Sequence, residues 1–320
     1  MNPKNKQLLD SFFDRKTTAL AKIISIIENR SDGHEEILSA LFPQSRNAYR
    51  IGLTGPPGAG KSTIADKIAL HPDMVEKEIG IIAVDPTSPF TGGAVLGDRI
   101  RMRDLAMLEN IFIRSMATRG SLGGLAAATK DVVVALDSFG KELILVETVG
   151  VGQVELDIVD ACDSTIVILT PESGDSVQAL KAGLLEIADI FVVNKSDRQG
   201  ADLFASDLRS ILEMKDNGNS SNWKIPIVST IATRDEGIDE LVEQIENHRK
   251  FITQNGHFEE HRKLQIRHKI REIIELRIKE IAEQKFLNIM DIETISHRVF
   301  EGEIDPYTAV KECLKLKKIW

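Results

Sequence analysis

The sequence is poor in cysteine. Cys162 and Cys313 are its only two and lie far apart, which argues against a disulfide framework or a thiolate zinc site. It also lacks a long apolar run: no stretch approaches the ~20 residues that a helix needs to cross a bilayer. The opening residues, MNPKNKQLLDSFFDRK, are polar where a secretory signal would be apolar. Positive charge is in deficit. Forty Lys and Arg against 49 Asp and Glu leave a formal net charge of −9, which disfavours nonspecific binding to nucleic acid. No internal repeat or low-complexity segment is found. What remains is an ordinary soluble balance, 42% hydrophobic and 28% charged over 320 residues. That length suits roughly one to three domains with a substantial core. The expected location is cytoplasmic, with neither membrane nor nucleic acid as a partner.

Three regions separate along the chain. Residues 1–46 read as a helical extension: LAKIISIIENR sets Leu20, Ile23, Ile24 and Ile27 at helical spacing before FPQS (42–45) breaks the pattern. Over 47–250, short β-rich runs alternate with amphipathic segments: YRIGLTG, IGIIAVD, IFIRSM, KELILVE, STIVILT, ADIFVVN and KIPIVS. The runs are apolar on both faces, as buried strands of a parallel sheet are. The expected fold is therefore α/β, a doubly wound, mostly parallel sheet flanked by helices. Residues 251–320 differ. HRKLQIRHKIREIIELRIKEIAEQKF carries Leu264, Ile270, Ile273, Ile274, Ile278 and Ile281 as one stripe, uninterrupted by Gly or Pro. Such a stripe needs a cover, either its own domain or a second copy of the chain.

GPPGAGKS, residues 55–62, fits G-x-x-x-x-G-K-[ST] and stands between a strand (RIGLTG) and a helix (STIADKIAL). That context makes it a P-loop of the NTPase fold. Backbone N–H groups from Gly55, Pro56, Pro57, Gly58, Ala59 and Gly60 onward through Thr63 are expected to wrap phosphates, proline contributing shape rather than a donor. Lys61 would reach the β and γ oxygens, and the Ser62 hydroxyl would ligate Mg²⁺. Mg²⁺ prefers oxygen ligands, and three carboxylates are well placed: Asp85 ending IGIIAVD, Asp98 opening GDRIRM, and Glu147 ending LILVE. Asp85 and Glu147 should share the carboxyl edge of the sheet with the P-loop. A turn or helix-cap role is the competing reading for Asp85 and Asp98. An unpaired carboxylate at the end of so apolar a strand would be costly, which favours a metal role for Glu147. Gly150 and Gly152 could bring N–H groups to a γ-phosphate, and Gln153 could orient the attacking water, although a helix-start role serves Gln153 equally well.

FVVNKSD, residues 191–197, is a strand followed by N-K-x-D. The Asp197 carboxylate can accept from both the ring N–H and the exocyclic amine of guanine, a donor pair that adenine lacks. Asn194 would brace the loop, the stem of Lys195 would cover the base, and Ser229 and Thr230 would support its far side. GTP and GDP are thus the expected ligands, with Mg²⁺.

Several segments are more specific than a P-loop requires: DPTSPFTGGAVLGDRIRM (85–102), RSMATRGSLGGLA (114–126), ETVGVGQVE (147–155) and TPESGDSVQALKAGLLEIADIFVVNKSD (170–197). With the helical start and the C-terminal arm, they resemble the MeaB/ArgK family of P-loop GTPases, to which methylmalonic aciduria type A proteins are similar, across nearly the whole chain. The resemblance implies a Mg²⁺-dependent GTPase. It would act as a chaperone of an adenosylcobalamin-dependent acyl-CoA mutase of the methylmalonyl-CoA mutase type, gating cofactor loading, protection and reactivation. It implies Lys61, Asp85, Asp98 and Glu147 as the polar set around Mg²⁺ and phosphate. It also implies 170–181 as a further switch loop in which Lys181 touches the partner, and a homodimer formed through 251–320. Read by themselves, Asp175 and Lys181 are a helix cap and a solvated lysine. Arg119 is a candidate finger in cis, although a turn role fits it better. Two alternatives stand beside this reading. A nickel-inserting maturation GTPase would need a soft or imidazole site, for which His257, His261 and His268 are the only spaced cluster. An ATP-dependent transport-system kinase or ATPase, the family's older description, conflicts with N-K-x-D.

Overall fold

The computed structural model describes residues 1–45, 48–85, 105–117, 127–148, 157–171, 183–215, 223–254, 256–282 and 292–315. The chain falls into two compact units, Met1–His261 and Arg262–Trp320.

In the first unit the apolar runs form strands β1 (Tyr49–Thr54), β2 (Ile79–Asp85), β3 (Ile111–Ala117), β4 (Leu143–Glu147), β5 (Ser164–Leu169), β6 (Ile190–Asn194) and β7 (Ile227–Thr230). They make one seven-stranded sheet in the order β3-β2-β4-β1-β5-β6-β7, with every pairing parallel. Parallel strands need crossover connections, and these put helices on both faces. Strand residues alternate between the two faces. Leu143 and Leu145 join one core with Ile51, Leu53, Ile166 and Ile168 under helices α4 (Lys61–Leu70) and α8 (Ile238–Gln254). Ile144 and Val146 join the other.

That second core explains the N-terminal helices. Helices α1 (Pro3–Phe13), α2 (Thr17–Glu28) and α3 (His34–Leu41) bury Phe12, Leu20, Ile23, Ile24, Ile27 and Ile37 in one cluster with Val132 and Leu136 of α5 (Ala127–Ser138) and with the strand residues Ile82, Ile144 and Val146. The expected helical extension is thus part of the same compact unit as the sheet. The short helix α6 (Leu184–Ile187) and α7 (Ala201–Lys215) cover Val167, Phe191 and Val193 further along that face.

The amino edge of the sheet is held by carboxylates. Asp137 accepts from Ala48 N–H at 3.0 Å, Asp163 from Arg50 N–H at 2.9 Å, Asp189 from Thr165 N–H at 2.7 Å and Glu142 from Glu78 N–H at 3.0 Å. Strand starts carry outward N–H groups that buried structure must satisfy, and acidic side chains do so with charge-assisted bonds. A chain of side chains, buried up to the partly exposed Asp189, adjoins them. The Tyr49 hydroxyl meets Ser164 Oγ at 2.5 Å, Ser164 Oγ meets His248 Nδ1, and His248 Nε2 lies 3.4 Å from Asp189 Oδ1. Burial pushes Asp189 up to about 7, aided by the neighbouring Asp163. Burial, and the nearby His261, push His248 down to about 4, against the pull of Asp163. The pair is therefore mostly neutral between those values.

The second unit contains most of α9 (His257–Ala282), with α10 (Ile292–Phe300) and α11 (Pro306–Lys315). Leu264, Ile270, Ile273, Ile274, Ile278 and Ile281 of α9 are all exposed. No helix among the described residues is long and apolar enough to cross a membrane.

The Asp189–His248 pair gives stability two opposed dependences on pH. Asp189 binds its proton more tightly in the fold than in the unfolded chain, so its contribution is present below 3.8 and is lost as pH rises toward about 7. His248 binds its proton less tightly in the fold, so its contribution is present above 6.5 and is lost as pH falls toward about 4. Denaturant titrations from acid to neutral pH should separate them. Asp189→Asn should gain stability with rising pH, and His248→Gln should lose it. A full one-proton slope is about 1.4 kcal/mol per pH unit. Asp189 keeps 33% side-chain exposure, so its slope should be well below that. Profiles of the same sign in both variants would contradict the assignment.

Candidate functional site

Strand β1 is central, and its carboxyl end runs directly into the 55–60 loop and α4. Two glycines make that path possible. Gly55 has φ +134°, and a Cβ there would lie 2.0 Å from the Ile168 carbonyl oxygen of β5. Gly60 has φ +97°, and a Cβ there would lie 2.3 Å from Asn194 Nδ2. Side chains are excluded at both positions by close approach as well as by conformation. Gly60 is the N-cap of α4 with no side-chain cap, and the first turn carries no carboxylate. The first N–H groups of α4 thus face the loop with the positive end of the helix dipole behind them, the electrostatics of an anion site.

The side chains converge on this loop. Lys61 is buried, and its ammonium donates to the carbonyls of Gly55 at 2.8 Å and Pro56 at 3.1 Å, holding the loop over its own base. Ser62 Oγ donates to Glu147 Oε1 at 2.7 Å. Glu147 is buried at the end of β4, opposite Leu53 of β1 and Ala83 of β2. Next to it Thr148 N–H donates to the Leu53 carbonyl at 3.0 Å, and its hydroxyl donates to Thr54 Oγ1 at 3.0 Å. Asp85 ends β2 beyond the level of Glu147, on the same carboxyl edge. Ser62 and Glu147 together form an oxygen pair of the kind Mg²⁺ takes, a hydroxyl and one carboxylate.

The N-K-x-D segment joins the same loop from the other side. Asn194 is buried at the end of β6. Its Nδ2 donates to the Ala59 carbonyl at 2.8 Å, and its Oδ1 accepts from Thr230 Oγ1 at 3.1 Å and Ala232 N–H at 3.2 Å. Lys195 Nζ donates to the Gly58 carbonyl at 2.8 Å. Lys195 sits at φ +59°, a left-handed conformation that a lysine adopts only at a cost. Ser196 N–H donating to the Thr230 carbonyl at 3.0 Å helps fix it there. Asp197 keeps 40% side-chain exposure, with Arg234 Nη2 at 3.8 Å. Ser229 is exposed on β7, and Thr230 is buried beside it.

Lys61, Ser62, Glu147, Asn194, Lys195 and Thr230 are therefore linked around one loop, with Asp85, Asp197 and Ser229 on the same edge. Asp98, Gly150, Gly152 and Gln153 lie outside the described residues, as do Arg119, Asp175 and Lys181. Sequence reasoning missed Ala232 and Arg234. Ala232 acts through its backbone N–H, which leaves no side-chain signal, and Arg234 is a surface residue of a turn. Among the described residues, no group of three or more His, Cys, Asp or Glu side chains could hold a metal ion. His257 instead stacks on Phe251, ring centroids 5.7 Å apart.

A seven-stranded parallel sheet with this loop at the end of its central strand defines a P-loop NTPase-like protein. Comparison with known proteins narrows the class. The profile of a family described as methylmalonyl-CoA mutase-associated GTPase MeaB matches residues 20–286. A putative GTPase of Pyrococcus abyssi is 46% identical over 303 residues, 94% of this chain and 93% of the relative. The GTPase ArgK of Escherichia coli is 33% identical over 257 residues, 77% of this chain and 76% of the relative. A solved structure of a LAO/AO transport system kinase shares the fold, with TM-score 0.72, 23% identity, and coverage of 99% of this chain and 98% of that one. The chain belongs to the MeaB family of GTPases.

The Asn194 side chain is the strongest link within the site, so its removal should be costly. Asn194→Ala leaves the Ala59 carbonyl, the Thr230 hydroxyl and the Ala232 N–H without this partner. Urea unfolding should show a loss of about 2–4 kcal/mol with an unchanged denaturant slope. A loss below about 0.5 kcal/mol would mean that the bridge does not hold the edge together.

Proposed function

We propose that the chain is a Mg²⁺-dependent GTPase that converts GTP to GDP and phosphate, and that it uses this cycle to gate cofactor loading, protection and reactivation of an adenosylcobalamin-dependent acyl-CoA mutase. The observation that carries the nucleotide assignment is the attachment of N-K-x-D to the P-loop. Asn194 and Lys195 donate to Ala59 and Gly58, so the proposed purine reader is hydrogen-bonded to the proposed phosphate cradle. Asp197, two residues on, is then positioned to accept from the two guanine donors.

In this reading the 55–63 backbone and the start of α4 hold the phosphates, and Lys61 exchanges its contacts with the Gly55 and Pro56 carbonyls for β and γ oxygens. Ser62 and Glu147 would hold Mg²⁺, with Asp85 and Asp98 reaching it or its waters. Bound there, the ion neutralises charge developing on the transferred phosphoryl group. Glu147, longer by one methylene than aspartate, reaches Ser62 from the strand end directly, so the two would hold the ion together. Gln153 and Gly150 are assigned to the attacking water and the γ-phosphate from sequence alone. Ser229 and Thr230 support the base side through the β7 backbone.

The mutase client rests on the family's description as mutase-associated. The exposed apolar stripe of α9 supports a homodimer formed through 251–320, because an uncovered stripe of six large residues favours association. The loops around 85–98, 147–153 and 170–181 are proposed as the segments whose order follows the nucleotide.

Two experiments test this reading. The first concerns the base: Asp197→Asn should lose GTP affinity by tenfold or more and gain affinity for XTP, whose ring carries an oxygen in place of the amine. Unchanged GTP binding would refute the base site. The second measures initial rates of GTP and ATP hydrolysis with and without a cobalamin-dependent acyl-CoA mutase. A slow, GTP-selective rate that the mutase accelerates is expected, as for a GTPase whose site a partner completes. A rate indifferent to the mutase would remove the client while leaving the GTPase.

A further inference from the structure

At the opposite, amino edge of the sheet lies a cavity of about 420 Å³, reached from both the N-terminal helices and the strand starts. Its volume is in the range of small-molecule sites, and its lining is polar. Four cations, Arg15, Lys77, Lys141 and Arg249, face three carboxylates, Asp137, Glu142 and Glu246.

The carboxylates already have donors. Asp137 accepts from Ala48 N–H and, at 2.8 Å, from the Arg50 guanidinium. Glu142 accepts from Glu78 N–H. Glu246 is shared between Lys77 at 3.2 Å and Arg249 at 3.8 Å. Lys77 is paired with Glu246 and Lys141 with Glu78 at 2.5 Å, but the two arginines are less satisfied. Among the described residues Arg15 has no carboxylate partner; its guanidinium lies over the Phe139 ring at 5.7 Å and against Gly140. Arg249 lies over the Tyr49 ring at 5.1 Å, with only the long contact to Glu246. Two guanidiniums braced on aromatic rings and little compensated by carboxylates thus face an open space, and guanidinium is the group best shaped for bidentate contact with carboxylate or phosphate.

We propose that this cavity binds a small organic anion bearing carboxylate or phosphate groups, with Arg15 and Arg249 as its principal contacts. The site is separate from the nucleotide site: Tyr49 begins β1, and the P-loop follows the other end of that strand. The ligand spans a contact from the chain's first helices (Arg15) and one from α8 (Arg249), so its binding ties the two together.

The test is calorimetric titration of the full chain, saturated with GDP and Mg²⁺ so that the P-loop is filled, with inorganic phosphate and with succinate as separate probes. Saturable binding of at least one probe is expected. Which probe binds tells a phosphate ligand from a carboxylate one. Arg15→Gln and Arg249→Gln should each weaken that binding about tenfold or more, the loss of one bidentate contact. Lys4→Gln, which removes the same charge away from the cavity, should not. GDP affinity is measured for every variant as the check on folding, and Arg249→Lys replaces Arg249→Gln if the latter fails it. No saturable binding of either probe, a smaller loss in either arginine variant, or an equal loss in Lys4→Gln overturns the proposal.

Discussion

One amide group holds the carboxyl edge of this sheet together. Asn194 Nδ2 reaches the Ala59 carbonyl while its Oδ1 takes donors from Thr230 and Ala232, so a single buried side chain joins the loop after β1, the end of β6 and the end of β7. Its geometry also dictates the glycine at 60, where a methyl group would collide with Nδ2 at 2.3 Å. Such a network is worth most when every member is satisfied, because the low dielectric that strengthens these bonds also penalises each orphan. The left-handed Lys195 is affordable only because this frame over-determines it.

The other side of the edge depends on a different contact, between Ser62 and Glu147. The hydroxyl belongs to the first turn of α4 and the carboxylate to the end of β4, so the contact couples the helix after the P-loop to the strand beside β1. Glu147 is followed immediately by Thr148, which is fastened to Leu53 and Thr54. Both bonds hold the chain just after Glu147 to the end of β1.

Much of this edge was legible in the sequence because its residues are close in sequence to a strand end. The seven apolar runs became the seven strands, and Lys61, Ser62, Glu147 and Asn194 each stand at or just beyond one. What could not be read depends on contacts distant in sequence. Tyr49, Ser164, Asp189 and His248 meet across separations as large as 115 residues, and none of them belongs to a motif. The docking of α1–α3 was equally hidden. Leu20, Ile23, Ile24 and Ile27 announce an apolar face, but periodicity does not say what covers it, and here the cover is α5 and the sheet. Arg15 and Arg249 are a further case, since a surface arginine carries no signal until the cavity between the elements is known.

The two edges of the sheet solve the same problem with opposite charge. At the carboxyl edge the groups to be neutralised are phosphates, and the loop offers N–H groups, a helix dipole and Lys61. At the amino edge the exposed groups are strand N–H donors, and Asp137, Asp163, Asp189 and Glu142 each accept one. The cations around them are unequally compensated. Arg50 is compensated by Asp137 and Lys141 by Glu78, but Arg249 holds only a share of Glu246 and Arg15 has no acidic partner among the described residues. In a chain whose formal net charge is −9, two arginines with little carboxylate compensation thus line one cavity.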